Sequence, residues 1–233
     1  MTTLLLRLAG PMQAWGSQSR FATRATELWP SKSGVVGMLA AALGRARRES
    51  VADLAELPMA VRIEMPGTVL SDFHTAHNRD KAMPLTQRFY LHDAMFLVGI
   101  AAGDDLLHEL NEALVRPRFP LALGRRSCPP AFPWNLGLRE APLATAITSE
   151  EWHASEWFQR ECSFGAGYKA RVVADAGVLE LDDSAEEFEV RDNPVSFDPA
   201  RRQYGLRKVE SMLITLMDGR VNPFDPWSFG MED

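Results

Sequence analysis

A chain of 233 residues, 46% apolar and 24% charged, is long enough for one large or two small domains with a sizeable core, and its balance excludes a disordered or fibrous protein. Its two cysteines, Cys128 and Cys162, match no zinc spacing and no disulfide framework, which makes a reduced, cytoplasmic setting the expectation. The net charge of −6 argues against a general nucleic-acid binder, but residues 1–48 carry seven basic residues against the single acid Glu27, a net +6 that leaves −12 for residues 49–233.

The first apolar run, Thr2 to Ala9, reads as a buried strand. It is too short for a signal sequence, and no run approaches the roughly 18 apolar residues of a membrane helix. Gly10-Pro11 stops it, because proline has no amide for a sheet ladder. Met12, Gln13, Trp15 and Gly16 follow. An amide beside a large aromatic suits a nucleobase, which offers a face to stack and edges to hydrogen-bond. The competing reading is a core tryptophan capped by a satisfied glutamine, and the residues alone favour it. Arg20 and Arg24 lie on the polar stretch that follows, spaced for an extended segment or loop.

Pro30-Ser31-Lys32-Ser33-Gly34 opens an apolar helix that runs to about Arg45, with Ser31 or Ser33 as its N-cap. Free amides at its start, with Lys32 and Ser33, could hold a phosphate. An ordinary capped helix explains the same residues, and the glycines of a nucleotide-binding P-loop are missing. Arg45, Arg47 and Arg48 read as a solvated helix end, and Gly37 suggests a close approach to a neighbouring strand. Ser50 to Leu57 reads as a short helix, Met59 to Met65 as a strand, and Thr68 to Ala76 as an extended piece after the Pro66-Gly67 turn. Asn78 to Leu85 is a polar arm. Arg88 to Ala101 is strand-like, and Asp104 to Val115 is an amphipathic helix capped by Asp104 or Asp105 and ended by Pro117.

With a last strand near Leu121 to Leu123, the order is the β-α-β-β-α-β pattern of a ferredoxin-like, RRM-like α+β domain. The aromatic consensus of the standard RNA-recognition sheet is absent, so RNA contacts would come from loops and edges. Leu123-Gly124-Arg125-Arg126-Ser127-Cys128-Pro129-Pro130 places two guanidinium forks and a hydroxyl on an extended segment, suited either to phosphate or to salt bridges with the acidic half of the chain. Cys128 reads as structural.

Beyond residue 140 the signals thin. Glu150 to Arg160 reads as a short helix, Tyr168 to Ala174 and Val178 to Leu181 as strands, Asp182 to Glu189 as a solvated acidic loop, and Ser211 to Met217 as a final strand. Arg201-Arg202-Gln203-Tyr204 with Arg207-Lys208 forms a third basic cluster. Phe224, Trp227 and Phe229 mark an aromatic tail suited to its own domain or to a partner.

Four segments together resemble the CasD family: Arg7 to Gly16, Pro30 to Gly34 before the apolar helix, Asp72-Phe73-His74-Thr75, and Leu123 to Pro129. The family is the type I-E CRISPR Cascade subunit that caps the 5′ handle of the guide RNA (crRNA). The resemblance covers residues 1–140 well; later, only Val190 to Pro194 and Arg207 match. It implies a ferredoxin-like RNA-binding domain over 1–140 with an arm or thumb near 72–90, and a small β-rich C-terminal part over 141–233. It implies an RNA-binding set of Gln13, Trp15, Gly16, Arg20, Arg24, Lys32, Ser33, Gly34, His74, Arg125, Arg126, Ser127 and Arg207. It also implies docking to the backbone subunit (CasC), the large subunit (CasA) and other Cascade subunits, and contact with target DNA through the complex. No cofactor, metal or membrane is implied. Gln13, Trp15 and Gly16 would touch the RNA or shape its pocket.

A type I-C relative cuts repeat RNA, so a metal-independent endoribonuclease is the alternative. His74, His77, Lys81, Tyr90 and His92 are close enough in sequence to supply an acid and a base, although no motif ties them to that role. A generic interaction scaffold would leave the basic clusters unexplained.

Overall fold

The computed structural model describes residues 1–16, 19–20, 23–75, 77–78, 81–82, 84–165, 167–180 and 185–218. The elements in chain order begin with β1 (Thr3–Ala9), β2 (Met12–Gln13), β3 (Ser19–Arg20), β4 (Thr23–Arg24), α1 (Lys32–Leu43), α2 (Ala52–Ala55) and β5 (Met59–Met65). Then come β6 (Thr68–His74), β7 (His77–Asn78), β8 (Lys81–Ala82), β9 (Thr86–His92), β10 (Met95–Ala101), α3 (Asp104–Val115) and β11 (Asn135–Arg139). The chain continues through α4 (Leu143–Ser149), α5 (Glu156–Ser163), β12 (Gly167–Asp175), β13 (Glu186–Ser196) and β14 (Gln203–Asp218).

The main sheet has seven strands in the order β11-β1-β10-β5-β12-β14-β13, and every neighbouring pair is antiparallel. The protein is therefore α+β. The apolar runs of the central strands follow from burial on both faces. Leu4, Leu6 and Leu8 alternate with Leu5, and Phe96, Val98 and Ile100 alternate with Leu97. The first sets pack with α1 and α3 in the large core, and Leu5 and Leu97 pack with Leu143 and Ile147 of α4 on the opposite face.

A second sheet carries the arm. It runs β2-β9-β4-β3, and β6 also pairs with β9. All seven residues of β6 are exposed, among them Val69, Leu70 and Phe73. The expected single strand from Arg88 to Ala101 is in fact two, β9 and β10, turned at Asp93, whose φ is 54°. Residues 79, 80 and 83 of the expected 78–85 arm, and the whole aromatic tail with Phe224, Trp227 and Phe229, lie outside the described residues.

Several expectations are corrected. Leu121 to Leu123 is not a strand. Pro117, Pro120, Pro129 and Pro130 interrupt the ladder there, and the next strand in the chain is β11, which pairs with β1. The cap of α3 is Gly103 without a side-chain bond; Asp104 and Asp105 sit in its first turn, where they complement the helix dipole. Val178 to Glu180 forms no strand, and Leu181 lies outside the described residues. The acidic stretch from Glu186 belongs to β13, an edge strand, where charged side chains face solvent and deter edge pairing. α4 was not legible beforehand. Gly37 faces a ring rather than a strand, since a Cβ there would lie 3.7 Å from Phe197.

Candidate nucleic-acid interface

Helix α1 starts as the sequence suggests. Ser31 is its N-cap, accepting from the Gly34 amide, and Gly44 ends it in the left-handed conformation. At its N-terminus, Lys32 is nevertheless already engaged within the protein. The Lys32 amide donates to Asp192 Oδ2 at 2.7 Å, and Lys32 Nζ pairs with Asp175 at 2.8 Å. Arg207 bridges the same two acids, donating to Asp192 Oδ1 at 2.6 Å and to Asp175 Oδ1 at 2.8 Å. Burial alone would lower the Arg207 guanidinium, but its hydrogen bonds to Asp192 and the charges of both acids outweigh burial and raise it. Two cations and two anions are thus matched inside the protein. The phosphate contacts expected of Lys32 and Arg207 are corrected: both side chains are buried and engaged with carboxylates.

Gln13 and Trp15 also lie inside, at 0% and 1% exposure. The Gln13 amide donates to Ala94 O at 2.6 Å and to Leu8 O, and its carbonyl accepts from the Trp15 indole N–H at 3.0 Å. The arrangement is a core tryptophan capped by a satisfied glutamine, so neither side chain reaches a ligand. Gly34 makes room for the ring, because a Cβ there would stand 2.7 Å from it.

Next to this core opens a cleft of about 1010 Å³. Helix α1 lines it through Ser33, Gly34, Gly37, Met38, Ala40 and Ala41. Gly16, Arg24, Arg88 of β9, Arg125 and Arg126 line it too, as do Arg45, Arg47, Phe119, Phe197, Arg202 and Tyr204. Among the described residues, seven arginines line it and no acid does. The turn holding Arg125 is seated tightly. Ala14 donates its amide to Leu123 O, and Gly124, at φ 83°, leaves no space for a side chain because a Cβ would collide with Ala14 O. Arg125 donates to Phe89 O at 3.0 Å and Arg24 O at 2.9 Å, and its guanidinium lies 4.5 Å from the Tyr90 ring centre.

The structure therefore brings together Gly16, Arg24, Ser33, Gly34, Arg125 and Arg126 from the expected set. Ser127 is exposed and contacts Cys128 rather than the cleft lining, and His74 is exposed on the arm. The Arg20 side chain lies outside the described residues. Burial pushes the Cys128 thiol up, in keeping with a structural role. Sequence reasoning passed over Arg88, Phe119 and Phe197, and read Arg45 and Arg47 as solvated; the available signal for Arg88 was its two-residue spacing from Tyr90, which puts both on one face of a strand.

Among the described residues, no group of three or more His, Cys, Asp or Glu is placed to hold a metal, and no helix is long and apolar enough to cross a membrane.

Residues 3–210 match the model of the CRISPR-associated protein (Cas_Cas5) family. The chain is similar to the CRISPR system Cascade subunit CasD of Escherichia coli (strain K12), 38% identical over 160 residues that span 59% of this chain and 71% of that one. It resembles a chain of a CRISPR RNA-guided surveillance complex at a TM-score of 0.72 and 28% identity, covering 93% of this chain and 90% of the other. A second solved structure, described as a Cas protein, matches at a TM-score of 0.65 and 37% identity, over 95% of this chain and 100% of that one.

Proposed function

The chain belongs to the CRISPR-associated Cas5 family, and on that premise we propose that it is a non-catalytic, RNA-binding subunit of a type I-E Cascade complex that holds the 5′ handle of the crRNA. The observation that carries this reading is the arginine cleft over α1. Guanidinium forks match phosphate oxygens, and a lining with seven cations and no acid among the described residues attracts a polyanion to one place on an otherwise acidic body. Phe119, Phe197 and Tyr204 offer faces for unstacked bases. Gln13 and Trp15 shape the pocket from behind. Gly16, Arg24, Ser33, Gly34 and Arg126 remain the proposed contacts, with Arg125 shaping that site and Arg20 on the same basic stretch; Ser127 and His74 would meet RNA only along its path beyond the cleft.

Placement favours holding over cutting. His74 and His92 sit on the arm, away from the cleft lining. The exposed Val69, Leu70 and Phe73 of β6 suit docking to neighbouring subunits, among which we place the backbone subunit (CasC) and the large subunit (CasA), with target DNA reached through the complex. We read strands β11-β1-β10-β5, with α1 after β1 and α3 after β10, as the ferredoxin-like unit expected from the sequence. The division near residue 140 is proposed as one of labour: the first part supplies the arm and most of the cleft, and the second extends the sheet and closes the cleft with Arg202 and Tyr204.

The test is labelled repeat RNA with the purified chain across a salt series, following binding and integrity together. Intact RNA, held with strong salt dependence, is the expected result. Specific cleavage lost on changing His74 would make the chain a processing nuclease.

A further inference from the structure

Two of the cleft arginines have opposite surroundings. Arg125 is engaged with two backbone carbonyls, Phe89 O and Arg24 O, which belong to different strands of the arm sheet. It ties β4 to β9. The Arg88 side chain makes no hydrogen bond or ion pair among the described residues, although its Nε is buried. Buried N–H groups are rarely left without an acceptor. In the parallel pair of β4 and β9, Arg88 stands in register with Arg24, so two like charges lie side by side, and both line the cleft. Asp72, in register with Arg88 on the other flank, forms no ion pair with it. Arg126 likewise has no carboxylate partner among the described residues. Such a cluster of guanidiniums is incomplete without an anion.

We propose that Arg88, with Arg24 and Arg126, grips a phosphodiester of the bound single-stranded RNA, and that Arg125 is a positioning residue that fixes Arg24 beside Arg88. This rests on the RNA-holding reading above and assigns roles within that site. A phosphate in the cleft neutralises the Arg24–Arg88 repulsion. The Arg125 fork instead needs its two-point geometry, which a lysine lacks.

The two roles separate in two measurements. In the free protein, Arg88→Ala is expected to leave the thermal midpoint unchanged or raise it, since it removes a repulsion, whereas Arg125→Ala lowers it. With a short single-stranded RNA titrated across a salt series, Arg88→Ala is expected to reduce the slope of log K against log salt by about 0.7, one phosphate's share. Arg125→Ala and Arg125→Lys are both expected to weaken binding several-fold while keeping the wild-type slope. The proposal is overturned if Arg88→Ala destabilises the free protein as Arg125→Ala does, if it leaves the salt slope unchanged, or if Arg125→Lys binds like wild type. Failure of the wild-type chain to bind RNA in a salt-dependent way would instead remove the RNA-holding reading itself, and this assignment with it.

Discussion

The two ends of helix α1 meet basic residues on opposite terms. At its N-terminus Lys32 and Arg207 face Asp175 and Asp192, and the charges cancel inside the protein. Along its half-buried face and past its C-terminus, seven arginines and no acid line a cleft among the described residues. The residue types and their sequence setting are alike, as both clusters lie near glycine or serine and both suit phosphate. What separates a structural cation from a ligand-binding one is whether a carboxylate of the same chain reaches it. A matched cluster fixes geometry, and an unmatched one recruits an anion from outside.

The sharpest way to break this contrast is to unmatch the first cluster. Asp192→Asn removes an acceptor of both Arg207 and the Lys32 amide, and should cost about 3 kcal/mol in denaturant unfolding, because an uncompensated buried cation is left behind. A loss near zero would mean that Asp175 alone satisfies the pair. Next in size is Gln13→Leu. It strands the Trp15 indole N–H and the carbonyls of Leu8 and Ala94, for about 2 kcal/mol by the same assay. Its effect on RNA binding should follow only from that lost stability.

The acid limb of stability should carry a smaller signature. The hydrogen bond from Arg139 holds the Glu150 carboxyl below its ordinary range, against the pull of burial. A depressed folded-state value stabilises the protein above the unfolded value, near 4.5, and that contribution is lost as pH falls through the folded value. Glu150→Gln should therefore lower stability at neutral pH by less than about 1 kcal/mol and flatten its decline below pH 4.5. The smallest stability effect is expected at the unmatched cluster. Arg126→Ala and Arg202→Ala should each change unfolding by under about 0.5 kcal/mol, yet weaken RNA binding several-fold in an anisotropy titration.

The same contrast explains what could be read from the sequence. Local patterns were legible: β5 and α3 match their expected ranges, β1 differs by one residue, and the Ser31 cap follows from helix-start chemistry. The matching of Lys32 was not, since its partners lie 143 and 160 residues along the chain, on strands whose place beside α1 only the sheet order sets. The strand after α3 was misplaced because Leu121 to Leu123 is as apolar as a strand but is bounded by prolines. Arg88 escaped notice because its company comes from the pairing of β9 with β4, a contact between distant positions. Within the segments that carry the resemblance, the side chains divide. Gln13, Trp15, Lys32 and Arg207 build the scaffold, and Arg24 and Arg126 face outward.

The central claim is that RNA lies across the arginine cleft and not against the Lys32–Arg207 cluster. Photocrosslinking of 4-thiouridine-substituted handle RNA to the full chain, with adducts mapped by peptide mass spectrometry, tests it most directly. Adducts on the peptides that carry Arg88 and Tyr90, Phe119, Arg126 and Tyr204 are the expected result. Adducts confined to peptides of β6 or of Lys32 and Asp175, with none from the cleft, would contradict it.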